Sequence, residues 1–237
     1  MTSGFCRYDL RTTDPESARS FYVDAIGLDF TEGGWPLAVW PLHEQARARG
    51  VPAHWLGHIG VTDIAASVEQ LVARGSQLLG PPLLRGADGE AFAVLRDPCE
   101  AVFAVRETSR RPSLAPVAWH QLHTRDLDRS WAVYSELFGW LQTGTFEVAE
   151  VAAEGGHRTF RWHGADEDVG SMANTARLPG VHPHWLFHFP VADLDSTISK
   201  VAAHGGRALR PVVIPNGDRF VACEDPQGAA FGLVQPA

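Results

Sequence analysis

The sequence has almost no lysine, fewer basic than acidic residues (20 against 28) and no long hydrophobic segment. It contains a single lysine, Lys200, and its formal net charge is −8. Proteins that bind nucleic acid need a basic patch, so this charge balance argues against such a partner. No apolar run approaches the roughly eighteen residues of a membrane helix, and the first segment lacks a signal-peptide pattern. We therefore expect a cytoplasmic protein with no nucleic-acid partner and no membrane association.

Several common catalytic signatures are also absent. The chain has three cysteines, Cys6, Cys99 and Cys223, without a C-x-x-C pair, which is typical of unpaired thiols in a reducing compartment. It has no G-x-G-x-x-G, no Walker loop and no G-x-S-x-G. With 237 residues, 45% of them hydrophobic, the chain is still long enough to bury a substantial core.

An internal repeat is the dominant feature of what remains. The segment His54–Leu56 recurs 130 positions later as His184–Leu186, and Asp97-Pro98 recurs as Asp225-Pro226. A second repeat relates Leu10 through Asp14 to Leu122 through Asp126, at an offset of 112. Self-similarity of this kind indicates one structural unit written twice. Each half contains two modules, and the four modules begin near Phe5, Pro52, Pro116 and His182.

Each module follows one local pattern. A short alternating run is followed by an aspartate, an amphipathic stretch that a glycine ends, and further short runs. Aspartate before and glycine after a segment of helical period predict a capped helix, and the short runs predict strands. The capping aspartates are Asp14, Asp63, Asp126 and Asp193. These patterns predict an α+β fold with an N-terminal domain over 1–108, a linker over 109–115 and a C-terminal domain over 116–237.

Alternation within the strands predicts which side chains share a face. Trp185, Phe187 and Phe189 fall on one face, which we expect to cover the module's own helix, and His184, Leu186 and His188 fall on the other. The same test separates Leu122 from Trp119, Gln121 and His123. A face of tryptophan, glutamine and histidine suits a cavity for a partly polar, planar ligand. Two sets of polar residues are instead interpreted as solvated: Arg7, Asp9 and Arg11 as a salt-linked edge, and His157 as part of a loop.

The order of these motifs resembles a known superfamily. Tandem modules with aspartate before the helix, Tyr22 or Tyr134 inside it, and Asp-Pro before the last strand are similar to the vicinal oxygen chelate proteins, which include glyoxalase I, bleomycin-resistance proteins and extradiol dioxygenases. The resemblance is to the four-module, two-domain type. It implies tandem βαβββ modules paired into two curved-sheet, cup-like domains, and small molecules as partners of a monomer or homodimer.

In the metal enzymes of that superfamily, the resemblance implies ligands on the first strand of each module and a glutamate on the last strand. The corresponding positions in the C-terminal half are Trp119, Leu186 and Gly232, and those in the N-terminal half are Arg7, Leu56 and Ala104. None of these residues is a normal ligand of a divalent cation. We therefore expect no metal and no other cofactor.

The C-terminal half is the better candidate for the site. Between Gly27 and His54 the first module is 18 residues shorter than the third module is between Gly139 and His184, which is the length of one or two strands. Histidines that bond to neighbours across a polar cup remain an alternative to functional ones. The candidate catalytic residues are His123, His184 and His188, and the candidate ligand-binding residues are Trp119, Gln121, Trp162, Asp168, Leu186 and Gly232.

Three functions remain open at this point. The first is a metal-independent protein that binds a planar or aromatic metabolite or antibiotic in the C-terminal cup. The second is an enzyme of secondary metabolism that uses histidine or aspartate acid–base chemistry there, for which an isomerase, lyase or cyclase is favoured over a dioxygenase. The third is a metal-dependent lyase, isomerase or dioxygenase with a rearranged ligand set.

Overall fold

The structure is a computed structural model that describes residues 4–30, 35–86, 89–109, 116–148 and 155–237. The elements of the first half follow the predicted module order except that a second helix, over Glu44–Ala48, ends the first module in place of further strands. They are β1 (Phe5–Thr12), α1 (Pro15–Ile26), β2 (Leu37–Pro41), α2 (Glu44–Ala48), β3 (His54–Val61), α3 (Ile64–Ala73), β4 (Gln77–Leu78), β5 (Leu84–Arg85), β6 (Ala91–Arg96) and β7 (Val102–Glu107).

The second half repeats this order with additional strands. Its elements are β8 (Trp119–His123), α4 (Leu127–Phe138), β9 (Leu141–Phe146), β10 (His157–Arg161), β11 (Gly170–Ala173), a 3-10 turn (Asn174–Arg177), β12 (His184–Pro190), α5 (Leu194–Ala203), β13 (Arg207–Ala208), β14 (Val212–Val213), β15 (Arg219–Glu224) and β16 (Ala230–Gln235).

The predicted helix caps are confirmed. In α1, α3, α4 and α5, the aspartate before the helix accepts a hydrogen bond from the backbone N–H three residues later. This bond satisfies one of the N–H groups that a helix start leaves without an intrahelical partner. Gly27 and Gly139 then end α1 and α4 at φ of 71° and 67°, which glycine adopts without steric cost. Within the described ranges, no helix combines the length and apolarity that a membrane crossing requires.

The strands form two curved, mixed sheets, as the fold class predicts. The first sheet has the order β2-β1-β3-β7-β6-β4, and β5 also pairs with β6. The second sheet has the order β13-β15-β16-β12-β8-β11-β10-β9, and β14 also pairs with β15. In the first half β2 runs parallel to β1, as β11 runs parallel to β8 in the second. Among the described residues the first module has no counterpart of β9 and β10, which accounts for its shorter sequence.

The chain also divides into two compact units. One comprises residues 1–6, 57–114 and 120–185, and in it α3 contacts α4. The other comprises residues 7–56, 115–119 and 186–237, and in it α1 contacts α5. The sheets follow the two sequence halves, whereas each compact unit takes segments from both. The sequential domains 1–108 and 116–237 therefore remain a proposal, and residues 110–115 of the predicted linker lie outside the described residues.

A buried hydrogen-bonded triad stabilises the first of these units. The Tyr134 hydroxyl on α4 donates to Asp97 Oδ2 at 3.1 Å and accepts from Trp185 Nε1, also at 3.1 Å. The other oxygen of Asp97 accepts from the backbone N–H groups of Cys99 and Ala101. Burial raises the pKa of Asp97 to about 6 despite these bonds. The turn after β6 is thereby joined to a helix of the other sequence half.

The second unit contains the same triad. The Tyr22 hydroxyl on α1 donates to Asp225 Oδ2 at 3.2 Å and accepts from Trp55 Nε1 at 2.9 Å. Burial raises the pKa of Asp225, as it does for its counterpart Asp97. The repeated Asp-Pro, tyrosine and tryptophan motifs of the sequence therefore have a structural role in holding helices against turns.

The aromatic face of β12 contacts helices of other modules. Trp185 and Phe189 do point toward helices, but the rings that they contact belong to Tyr134 of α4 and Tyr22 of α1, respectively. The ring contacts of this face are therefore made with helices of other modules, which the alternation pattern alone does not predict.

The interpretation of Arg7, Asp9 and Arg11 as a solvated edge is also wrong. Arg7 and Asp9 are only 2% and 1% exposed. Asp9 accepts from Arg7 Nε at 2.8 Å and from Arg11 Nη2 at 2.9 Å, and the Arg7 guanidinium lies over the Trp35 ring. Burial is tolerated because each charge has a partner of opposite sign or an aromatic face.

Candidate functional site

Polar side chains cover one face of the sheet formed by β8, β11 and β10 in the first compact unit. Ser171 on β11 lies in register with Gln121 on β8 and with Thr159 on β10. Because alternate residues of a strand share a face, His123, His157 and Arg161 extend the same surface. We refer to this surface as the polar face; its members are Gln121, His123, His157, Thr159, Arg161 and Ser171.

The opposite face of these strands is aromatic and packs on α4. Phe160 stacks on Trp140 with parallel rings 4.7 Å apart, and it also contacts Trp131 of α4. Arg158, two residues before Phe160, donates to Asp128 of α4 and lies over the same Trp131 ring. These contacts fix the orientation of β10, so His157, Thr159 and Arg161 must point away from α4.

Two histidines stack at one end of the polar face. The rings of His123 and His184 are 4.7 Å apart and within 17° of parallel. His123 Nδ1 is 2.6 Å from the Thr175 hydroxyl, and His184 Nδ1 is 2.7 Å from the carbonyl oxygen of His182. A carbonyl can only accept, so His184 carries its proton on Nδ1 and leaves Nε2 as an acceptor. Burial lowers the pKa of His184, which favours the neutral ring.

The interpretation of His157 as part of a solvated loop is wrong. It begins β10, is only 4% exposed and stacks on Phe146 at 4.7 Å. Burial lowers its pKa to about 4, so the ring is neutral near pH 7. Within the described part of the chain, neither ring nitrogen has a hydrogen-bond partner. A buried polar group without a partner is rare in native proteins and needs an explanation.

The second unit contains four of the predicted site residues, which are Trp119, Leu186, His188 and Gly232. Trp119 meets the Phe220 ring at 5.8 Å, and Leu186 is buried. His188 is 1% exposed and also contacts Phe220. Its ring lies over Gly232, where a side chain would come within 2.1 Å of it. Gly232 therefore leaves space that the His188 imidazole fills.

The residues present do not fit the divalent cation that the resemblance implies. Trp119, Leu186 and Gly232 offer no side-chain ligand atom, and the described residues contain no group of three or more metal-ligating side chains. The His123 and His184 rings lie face to face, whereas an imidazole binds a metal in the plane of its ring. No chemical step is therefore assigned to a metal.

Two further predicted residues lie in the first unit but outside the polar face. Trp162 is buried against His120, on the aromatic side of the sheet, and its ring closely approaches Gly4. Asp168 is exposed in the turn before β11. Gln121 and His123 do belong to the polar face, and His184 stacks beside it. Sequence reasoning missed Thr159, Arg161, Ser171 and the position of His157, although the alternation of Arg158, Phe160 and Trp162 could have revealed the facing of β10.

A small cavity of about 150 Å³ lies elsewhere in the same unit. It is formed by the C-terminal end of β3 together with α3 and α4, and it is below the usual volume of a ligand pocket. Its lining contains no titratable side chain; it consists of Val61, Thr62, Ser67, Gln70, Leu137 and Phe138. We therefore do not regard it as the candidate site.

Comparison with known proteins identifies the family. Residues 115–233 match the family model of the glyoxalase/bleomycin resistance protein/dioxygenase superfamily. CFP32 of Mycobacterium bovis, which carries a provisional glyoxylase name, is 30% identical over 97% of this chain and 93% of its own length. The chain belongs to this superfamily.

Two further relatives extend the comparison. The anthracycline biosynthesis protein DauV of a Streptomyces species is 28% identical over 78% of this chain and 67% of its own length. A mutant of 4-hydroxymandelate synthase from Streptomyces coelicolor superposes with a TM-score of 0.61 at 14% identity, covering 99% of this chain and 92% of that one. At this identity the structural likeness establishes the fold alone.

Proposed function

We propose that the protein binds a planar or aromatic small molecule at the polar face, without a divalent metal. The observation that carries this proposal is the polar face itself, in which polar side chains from three adjacent strands cover the side of the sheet opposite α4. A plain core would be apolar there, and buried polar groups are costly unless they have hydrogen-bond partners. A ligand with a few polar atoms on a flat ring system would provide the partners that the two His157 ring nitrogens and Arg161 Nε lack among the described residues.

The relatives support this choice of ligand class. DauV is named for the biosynthesis of anthracyclines, which are planar aromatic compounds, and the superfamily name includes a drug-resistance protein. The stacked His123 and His184 rings add flat surface beside the polar face. Stacking of aromatic rings contributes about 0.5–1.5 kcal/mol beyond the burial of their area.

The test measures the binding of two probes by tryptophan fluorescence. The probes are an anthraquinone carboxylate and the corresponding neutral carboxamide. We expect at least one probe to bind to the wild-type protein. Gln121→Ala and His123→Ala should each weaken the binding of that probe roughly tenfold, because each removes a hydrogen-bonding group. His204→Ala is the control, because His204 is an exposed residue at the end of α5. Failure of both probes to bind, or equal weakening by the control, would contradict the proposal.

A second candidate function is an enzyme of secondary metabolism that uses acid–base chemistry. The specific observation is His184, whose hydrogen bond to the His182 carbonyl leaves Nε2 as a neutral base. In that case His184→Gln would retain probe binding and abolish turnover of a bound substrate. If the wild-type protein converts no bound compound, this second candidate function is contradicted.

A further inference from the structure

We propose that His157 and Arg161 select ligands that carry an acidic oxygen, with Arg161 binding a phenolate, enolate or carboxylate and His157 bonding to a hydroxyl or carbonyl farther along the ring system. This inference rests on the proposed function, because it assigns a chemical class to the ligand of the polar face. It concerns two residues that neither the repeat pattern nor the family resemblance identifies.

The first observation is that Arg161 has no partner of opposite charge among the residues that the structure describes. It is half-buried, and its Nε is inaccessible to solvent. Within the described residues, no ion pair or hydrogen bond is formed by its guanidinium. The acidic residues of the following turn, Asp166, Glu167 and Asp168, are all exposed. Arg158, on the same strand but facing α4, does have a carboxylate partner in Asp128.

The second observation is independent of charge. His157 is buried among its neighbours, yet both of its ring nitrogens lack hydrogen-bond partners in the described part of the chain. Phe146 covers one side of the ring, which fixes the orientation of the imidazole. Leaving two such atoms unsatisfied is costly unless a ligand supplies the missing bonds.

The spacing of the two residues limits the shape of the ligand. His157 and Arg161 are four residues apart on one strand, so their side chains begin about 13 Å apart. They therefore cannot bind the same atom. A single aromatic ring is too short to reach both, whereas a fused polycyclic compound with polar atoms at both ends can do so. Thr159 lies between them, where its hydroxyl bonds to that of Thr143 at 2.9 Å.

The experiment compares the affinities of the anthraquinone carboxylate and the neutral carboxamide, measured by calorimetry. We expect the wild-type protein to prefer the carboxylate by roughly 10- to 100-fold, the range for a hydrogen bond to a charged group. Arg161→Met should remove this preference, and Arg161→Lys should retain part of it. Arg158→Met should leave the preference unchanged, because its side chain faces α4.

His157→Phe gives a second readout that a structural role would not produce. Phenylalanine preserves the stack on Phe146 and removes both unpartnered nitrogens, so thermal stability should stay the same or rise while both probes bind more weakly. A loss of stability together with unchanged affinity would overturn the assignment of His157.

The outcomes separate this inference from the proposed function. If both probes bind equally well to the wild-type protein, or if Arg161→Met retains the preference, the inference is overturned and the proposed function stands. If neither probe binds, both are overturned. Selective loss of the carboxylate preference in Arg161→Met, with Arg158→Met unaffected, supports both.

Discussion

Replacing Asp97 with alanine is expected to lower the free energy of unfolding by roughly 3–5 kcal/mol, since it leaves three buried donors without an acceptor. These donors are the Tyr134 hydroxyl and the backbone N–H groups of Cys99 and Ala101. Chemical denaturation measures the change. Because the Asp-Pro turn and α4 come from different halves of the sequence, their connection would be lost at the same time.

The duplicated triad supplies a matched experiment. Asp225→Ala removes the acceptor for Tyr22 and for the backbone N–H groups of Gln227 and Ala229, so its effect should be similar. Asp195→Ala is the control, because Asp195 is exposed and its ion pair with Arg219 lies at the surface. If Asp97→Ala lowered the free energy of unfolding no more than the control does, the triad would have no stabilising role.

Replacing Gly170 with alanine is expected to destabilise the protein by about 3 kcal/mol, because the new methyl group meets the backbone. A Cβ at this position would lie 2.1 Å from the carbonyl oxygen of His120 and 2.7 Å from the Phe160 ring. The pairing of β11 with β8 and β10 would have to shift, and with it the register that assembles the polar face.

Gly144→Ala is the control for this substitution. Its Cβ would come within 3.3 Å of the Thr159 hydroxyl but would meet no backbone atom within contact distance. Thermal denaturation should therefore show a much smaller change than for Gly170→Ala. Equal stability of the two variants would mean that the β11–β8 pairing is more open than the structure indicates.

Local features of the fold could be predicted from the sequence, because local chemistry determines them. The aspartates Asp14, Asp63, Asp126 and Asp193 each cap a helix as expected, since capping depends only on residues within one turn. The repeat also revealed the four modules and the shorter first module. The partner of each helix could not be predicted from the sequence, because the choice of partner depends on packing between distant segments. The contact of Trp185 with α4 is one example.

The candidate site could be predicted only in part from the sequence, for a related reason. Alternation correctly separates Gln121 and His123 from Leu122, but His157 was assigned to a loop because Gly155 and Gly156 precede a strand of only five residues. Without β10 in the predicted sheet, Trp162 could not be assigned to the aromatic side and Arg161 was overlooked. The burial of Arg7 and Asp9 was missed because a run of alternating charges is usually solvated, and the expected salt link between them does not by itself reveal burial.

The proposed function requires that a ligand bind at the polar face without a divalent metal. Calorimetric titration of the anthraquinone carboxylate into protein purified without an affinity tag tests it most directly, once in excess EDTA and once in excess manganese(II). We expect the same dissociation constant in both, because the positions that bind metal in the superfamily carry Trp119, Leu186 and Gly232 here. Binding that disappears in EDTA and returns with manganese(II) would contradict the proposed function.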